Sequence, residues 1–385
     1  MRGFGTTIFA EMSALALTTG SVNLGQGFPD TDGVDGILDA AAQALREGAN
    51  QYPPGPGIPA LRQAVAEHQQ RNYDLAYDPD TEVLVTAGAT EAIAAALLAL
   101  TGPGDEVVLF EPYYDSYAAC VALAGAQRQV VTLEPDGAGW GFDPGALERA
   151  ITPRTKLLLL NTPHNPTGAV FDDRQLAAVA DVAIRHDLTV VSDEVYEHLV
   201  FDGAQHTPIA TLPGMRERTL TISSAGKTFS VTGWKIGWVC APPPLLAAVR
   251  TVKQFLTYVN GAPFQPAVAG VLDRAEQLAP REALQQQRDL LCAGLEAAGF
   301  DVHRPQATYF ATVDLRTSAA EVTGSRTDAV SFCRELPQRA GVVAIPSSVF
   351  YDSAAGDAFV RFAFCKRPAV LDDAVRRLRE AGAAR

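Results

Sequence analysis

Four short segments of this 385-residue chain carry the residue types from which a ligand site is built. Asn161-Thr162-Pro163-His164-Asn165-Pro166-Thr167-Gly168 offers amides on a turn, and Ser192-Asp193-Glu194-Val195-Tyr196 offers a carboxylate and a phenol. Ser223-Ser224-Ala225-Gly226-Lys227-Thr228-Phe229 sets an amine among hydroxyls, and Gly88-Ala89-Thr90 opens an apolar helical run. An amine in a desolvated, cationic setting loses its proton and becomes a nucleophile or base. The N–H groups that open a helix attract anions. Each segment also has an ordinary explanation by itself. The NPTG stretch makes a good turn, Asp193 and Thr90 suit helix N-caps, and most lysines are simply solvated.

The elements that must position these residues decide between the two readings. Short β-branched runs at Glu82–Thr86, Glu106–Phe110, Gln129–Leu133, Lys156–Asn161, Leu188–Asp193 and Thr219–Ser223 alternate with helical patterns. Those include Ala89–Leu100, Tyr114–Ala124 and Arg174–Arg185. This alternation predicts an α/β fold with a mainly parallel sheet sandwiched by helices, and Trp234–Ala241 adds a further strand. Open sheets of this kind bind ligands beyond the carboxyl ends of their strands, where all four segments fall. The rhythm then changes. Pro244–Val259 and Pro266–Phe300 read as long helical stretches. Strand Thr308–Leu315, helix Asp328–Ala340, strands Gly341–Ile345 and Phe359–Phe364, and helix Ala369–Ala381 predict a smaller α+β unit. The first thirty-odd residues fit neither rhythm and read as an extended, Gly-punctuated arm, while Gln51–Gly57 reads as a rigid turn-rich loop. The expected organisation is an arm joining the small domain over 1–35, a large domain over 36–270 and a small C-terminal domain over 271–385.

The order and spacing of the four segments resemble the class I/II aminotransferases of fold type I, which use pyridoxal 5′-phosphate. Ser224-x-x-Lys227 followed by Gly233-Trp234-Lys235-Ile236-Gly237-Trp238 is the most specific part of the likeness. The likeness extends from Phe9 to the last helix. It implies that Lys227 links to the cofactor aldehyde and later moves the substrate proton. Asp193 would face the pyridine nitrogen, a position where a carboxylate keeps that nitrogen protonated. Asn165 and Tyr196 would bond the phenolic oxygen, and Tyr114 would stack on the ring. The phosphate would be held by the Ala89 and Thr90 N–H groups, the Thr90 and Ser224 hydroxyls and the Lys235 ammonium. Many relatives place Arg where Lys235 stands, so a point charge replaces a bidentate fork. Tyr52 matches a tyrosine that reaches the neighbouring subunit's phosphate, implying a homodimer with shared active sites. Arg361, in the apolar run Ala358–Phe364, would clamp the substrate carboxylate, with Gly27 and Phe9 of the arm beside it. An edge strand carrying a solvated Arg is the alternative for that run.

Other chemistries fit the sequence less well. Gly226-Lys227-Thr228 imitates the end of a P-loop, but the Gly required five residues before Gly226 is Thr221. Gly25-Gln26-Gly27 lacks the third Gly of a dinucleotide fingerprint. The six histidines show no metal-ligand spacing, so no metal is expected. Lys plus Arg total 31 against 44 Asp plus Glu, a net charge of −13 that argues against nucleic-acid and anionic-membrane partners. No apolar run reaches the span of a bilayer, the N-terminus carries no evident signal, and five scattered cysteines suit a reducing compartment. A cytoplasmic protein is expected.

The resemblance implies ping-pong transfer of an amino group from an L-amino acid to a 2-oxo acid. The segments Thr7–Ser13, Asn23–Asp30 and Ser224–Ser230 are similar to the kynurenine/glutamine and methionine aminotransferase branch. Asn50–Gly57, Thr86–Ile93, Glu111–Tyr117 and Ser192–Asp202 also resemble actinobacterial N-succinyldiaminopimelate aminotransferases. The first branch needs an apolar or aromatic pocket, to which Phe9, Tyr52 and Tyr114 could contribute. The second needs a further cation for distal carboxylates, with Arg2 and Arg304 as candidates. Cysteine-conjugate β-elimination is an alternative chemistry on the same site. A non-enzymatic regulator that binds the cofactor is an alternative of another class, and the acidic chain disfavours it.

Overall fold

In the computed structural model, residues 8–137, 139–320, 324 and 327–383 are described. Seven strands build the main sheet: β1 (Val83–Ala87), β2 (Glu106–Glu111), β3 (Gln127–Thr132), β4 (Thr155–Asn161), β5 (Thr189–Asp193), β6 (Thr219–Ser224) and β7 (Ile236–Cys240). Across the sheet they run β1-β7-β6-β5-β4-β2-β3. All neighbours are parallel except β7, which is antiparallel to both β1 and β6. The four consecutive leucines of β4 show why the sheet is sandwiched. Leu157 and Leu159 join Ile93 and Leu97 in the core on one face, whereas Leu158 and Leu160 join Leu176 and Val179 on the other. Alternate side chains of a strand point to opposite faces, so an unbroken apolar run demands cover on both. Asp172 and Gln175 form a reciprocal capping box that starts one covering helix, Asp173–Arg185.

The second sheet is antiparallel, with β8 (Asp301–His303), β9 (Phe310–Asp314), β10 (Ile345–Pro346) and β11 (Phe359–Ala363) in the order β8-β9-β11-β10. Strand β11 is therefore interior, which removes the edge-strand alternative for Arg361.

Three expectations need correction. The N-terminal arm is not extended throughout: Ile8–Thr19 is a helix, α1, in which the good helix formers Ala, Leu, Met and Glu predominate. Only past Gly20 does the chain extend, pairing Val22–Asn23 with Val342–Val343. The expected strand Gly341–Ile345 is divided, because Val342–Val343 serves that pairing while Ile345–Pro346 pairs with β11. The long helical stretch from Pro266 breaks into helix Phe264–Ala269, a 3₁₀ turn Leu272–Arg274, a short helix Ala275–Leu278 and α2 (Arg281–Ala297). Pro280 stands at the last break, where a proline cannot continue the preceding helix.

Candidate active site

The carboxyl ends of β4, β5 and β6, the β1–helix junction, the N-terminal arm and the second sheet enclose one cavity of about 440 Å³. Lys227, Asp193, Tyr196, Asn165, Tyr114, Ser224, Lys235, Ala89, Thr90, Arg361, Gly27 and Phe9 all line it. The four segments thus meet as the strand-end reading predicted, and Phe9 and Arg361, 352 residues apart in sequence, join them as the resemblance implied.

On the large-sheet side, buried groups hold one another. Asp193 accepts a hydrogen bond from the Tyr117 hydroxyl at 2.5 Å and from the Val195 amide at 3.3 Å. Burial raises its pKa to about 6, opposed by those two donors. Asn161 donates to the Asp193 carbonyl at 2.8 Å and accepts from the Asn165 N–H at 2.8 Å, fixing the NPTG turn against β5. Lys227 follows β6 in the first turn of a four-residue helix and donates from Nζ to the Tyr309 hydroxyl at 2.6 Å. Burial lowers its pKa to about 8, so a minor but substantial share of the amine is neutral near physiological pH, far more than for a solvated lysine.

The anion-binding end is made by a close approach of backbones. A Cβ built on Gly237 of β7 would lie 2.6 Å from the Gly88 carbonyl carbon and 2.9 Å from the Ala89 nitrogen. Only glycine lets β7 pass so near the helix start, where Gly88 has φ +70°. Lys235, itself left-handed at φ 54°, reaches the Thr90 hydroxyl at 3.2 Å. A cation, a hydroxyl and the first N–H groups of a helix converge at this point, an arrangement that favours an anion.

On the opposite wall, Arg361 is 3% exposed. Its Nη1 donates to Asn165 Oδ1 at 3.3 Å and its Nη2 to the Gly25 carbonyl at 3.2 Å, while the buried Nε finds no partner among the described residues. Its charge lies over the rings of Phe310 at 4.0 Å, Phe350 at 4.8 Å and Phe9 at 5.3 Å. Burial lowers its pKa to about 10. A guanidinium held by neutral acceptors and aromatic faces, with an N–H to spare, is suited to an anion that comes and goes.

A family model, "Aminotransferase class I and II", matches residues 19–378. The chain belongs to this family. The solved N-succinyldiaminopimelate aminotransferase of Mycobacterium tuberculosis superposes with a TM-score of 0.94 at 55% identity, covering 99% of this chain and 98% of that one. The methionine aminotransferase of Escherichia coli is 41% identical over 379 residues, 98% of this chain and 96% of its own length. Kynurenine–oxoglutarate transaminase 3 of Mus musculus is 37% identical over 399 residues, covering 97% and 88% respectively. This chain is accordingly an aminotransferase of fold type I, a family that depends on pyridoxal phosphate.

The remaining sequence-predicted residues of this aminotransferase lie elsewhere. Tyr52 is 80% exposed and packs edge-on against Tyr258 at 5.4 Å, outside the cavity lining. Arg304 is committed to Asp289 at 2.9 Å and Glu296 at 3.5 Å, so it is not the extra cation of the site. Arg2 lies outside the described residues. Sequence reasoning missed Tyr117, Tyr309, Phe310 and Phe350, aromatics whose patterns read as core. It also missed the buried convergence of His68, Glu197 and His198, whose ligand-capable atoms lie within 4.8 Å of one another. The His68 and His198 Nε2 atoms are 2.7 Å apart, a hydrogen-bond separation. Two nitrogens at metal bonds of roughly 2.0–2.1 Å with a tetrahedral angle stand further apart than that. Glu197 meanwhile accepts from Tyr73 at 2.6 Å and Ser223 at 2.5 Å.

Proposed function

We propose that this aminotransferase binds pyridoxal 5′-phosphate in the cavity and transfers amino groups from L-amino acids with apolar, aromatic or neutral polar side chains to a 2-oxo acid. The observation that carries the reading is the pairing of a desolvated Lys227 with a buried, under-bonded Arg361 across one cavity. The cavity also fits the cofactor's polar groups, with the Gly88–Thr90 cradle and Lys235 for a phosphate and buried Asp193 for a ring nitrogen. When bound, pyridoxal phosphate supplies a ring that accepts the electron pair released at the substrate Cα.

The chain's own groups do the rest. Lys227 gives its neutral amine as the covalent anchor and, once released, takes the Cα proton. Asp193 would hold a proton at the ring nitrogen, whose positive charge would offset the burial that raises this carboxyl's pKa. Asn165 and Tyr196 would donate to the phenolic oxygen of the bound group, Tyr114 would lie against its ring, and Ser224 would join the phosphate donors. Arg361 clamps the substrate carboxylate beside Phe9 and Gly27. Phe9, Phe28, Ile93 and Phe310 give the lining its apolar character, and its cations are Lys227, Lys235 and Arg361, each with a role already. A distal carboxylate therefore finds no further cation in this wall. The 55% identity to the M. tuberculosis enzyme supports a second reading, N-succinyldiaminopimelate as donor. That reading requires a cation from outside the described wall.

We also propose a homodimer in which Tyr52 completes the partner's phosphate site. Exposed Tyr52, Phe255, Leu256 and Tyr258 form an apolar surface consistent with such a contact. The domain division at residues 35 and 270 and a cytoplasmic location complete the proposal. Five free, buried cysteines support a reducing compartment, and no described helix is long and apolar enough to cross a membrane. Single-turnover mixing of the cofactor-loaded protein with methionine, glutamine, kynurenine, glutamate and N-succinyl-LL-diaminopimelate tests the substrate class. Rapid loss of the aldehyde-form absorbance with the first three is expected. Reaction with the succinylated donor and glutamate alone would replace the first reading with the second.

A further inference from the structure

Tyr309 is buried directly behind the cavity lining, against Lys227 and Gly27, in a place that no role assigned above explains. Its hydroxyl stands between two groups of fixed character. The Gly27 carbonyl, 2.7 Å away, can only accept, so the single phenolic proton is directed to it. The Lys227 amine, 2.6 Å away on the other side, must then be the donor. Burial first, and the neighbouring Tyr196 next, push the Tyr309 pKa well above its ordinary value, so the phenol stays neutral. The Tyr196 ring meets the Tyr309 ring edge-on at 5.3 Å and limits its rotation. The polarity of the Lys227–Tyr309–Gly27 chain is therefore set by the backbone at one end.

We propose that Tyr309 is a positioning residue for Lys227: it holds one N–H of the free amine, leaving the lone pair turned toward the reacting carbon, and ties that orientation to the seat of the N-terminal arm. The proposal rests on the reading of Lys227 as anchor and proton carrier. The arm supplies both ends of the coupling, since Gly25 carries the carbonyl that holds Arg361 and Gly27 carries the one that holds Tyr309. A Cβ on Gly27 would come within 2.4 Å of Phe310 Cζ, so only glycine lets the arm lie this close to the Tyr309–Phe310 wall. Seating the arm thus aligns the carboxylate clamp and the proton carrier together.

The test compares the wild type with Tyr309→Phe by two independent measurements. In cofactor-stripped protein, the pH dependence of Lys227 acetylation by acetic anhydride, followed by mass spectrometry, reads the state of the amine without any turnover. Loss of an oxygen that accepts from the ammonium is expected to move the midpoint down by about one pH unit. In loaded protein, single turnover with Cα-deuterated methionine is expected to be slowed by about 10- to 100-fold, with a larger primary isotope effect and little change in donor KM. Gly27→Ala, which lifts the arm off Phe310, is expected to move both readouts in the same direction by less. Unchanged midpoints and isotope effects in both variants overturn the proposal. Borohydride reduction of the loaded wild type checks the underlying reading separately: label on a lysine other than Lys227 overturns that reading, while the acetylation midpoint still decides the Tyr309 contact.

Discussion

The two walls of the cavity are built on opposite terms. On the large-sheet wall, Asp193, Tyr117, Asn161 and Asn165 satisfy one another through short, buried hydrogen bonds. On the arm and small-sheet wall, Arg361 meets carbonyl and amide oxygens at 3.2–3.3 Å and three aromatic faces, forms no ion pair among the described residues although Asp115 shares the cavity lining, and keeps an N–H unmatched there. A wall whose groups hold one another in place, with the Gly88–Thr90 cradle and Lys235 left for an anion at its end, is preorganised for a partner that stays. A wall with spare capacity suits partners that bind and leave, because a buried guanidinium repays desolvation only when an anion is present. The difference separates the place for a resident group from the place for exchanging substrates.

The contrast can be broken most severely at the junction of the walls. Lys227→Ala is expected to abolish turnover, with single-turnover rates falling by about 10⁴-fold or more and no lysine label after borohydride reduction. Next in size, Asp193→Asn is expected to slow the Cα proton step by about 10²- to 10³-fold while leaving donor KM close to the wild type, measured by stopped-flow absorbance. An effect confined to KM would place Asp193 on the exchanging wall instead. Arg361→Lys removes the bidentate fork and is expected to raise donor KM by roughly 30-fold, equivalent to about 2 kcal/mol, with a smaller change in kcat. Amines lacking a carboxylate should be indifferent to it.

A pH measurement sharpens the comparison further. The nucleophile in cofactor capture is the neutral amine, and Lys227 is lowered to about 8. Below that pH the ammonium predominates and carries no lone pair. The rate at which stripped protein forms its lysine linkage should therefore rise with pH and level off above about 8. A level-off near the ordinary lysine value would show that the amine is not desolvated. The smallest effect belongs to Tyr52→Phe, expected to weaken cofactor retention by less than about 10-fold. Mixing Tyr52→Phe and Lys227→Ala chains would show whether one subunit's tyrosine serves the other's lysine.

The residues of the retained wall were legible in the sequence because each sits in a local motif at a strand's carboxyl end. Asn165, Asp193, Ser224 and Lys227 share that property, and the alternation of strands and helices places those ends on one edge. The exchanging wall was less legible. Arg361 was conspicuous as a charge in an apolar strand, but the rings of Phe310 and Phe350 read as ordinary core, which they also are. Tyr117 and Tyr309 are buried like any core aromatic, so their type assigns them to packing and hides their hydroxyls. Helix α1 was masked by the Gly-rich stretch that follows it. Tyr52 shows the limit from the other side, since its proposed function depends on a surface that a single chain leaves exposed.

The placement of β7 has a consequence for how the molecule is made. Strand β1 touches the main sheet only through β7, which enters between β1 and β6. Residues 83–87 therefore wait for residues 236–240 before they acquire any neighbour in the sheet. During synthesis, β2 to β6 can assemble as an uninterrupted parallel array on which the helix after β1 packs through Ile93 and Leu97, while β1 itself has no strand partner. Closing this long-range pair is a late and slow event by its sequence separation. Because Gly237 presses against Gly88, the same event finishes the anion cradle. A nascent chain halted before residue 240 would carry most of a sheet but no finished anion cradle, so the chain's own share of the phosphate site closes in one step once β7 has been made.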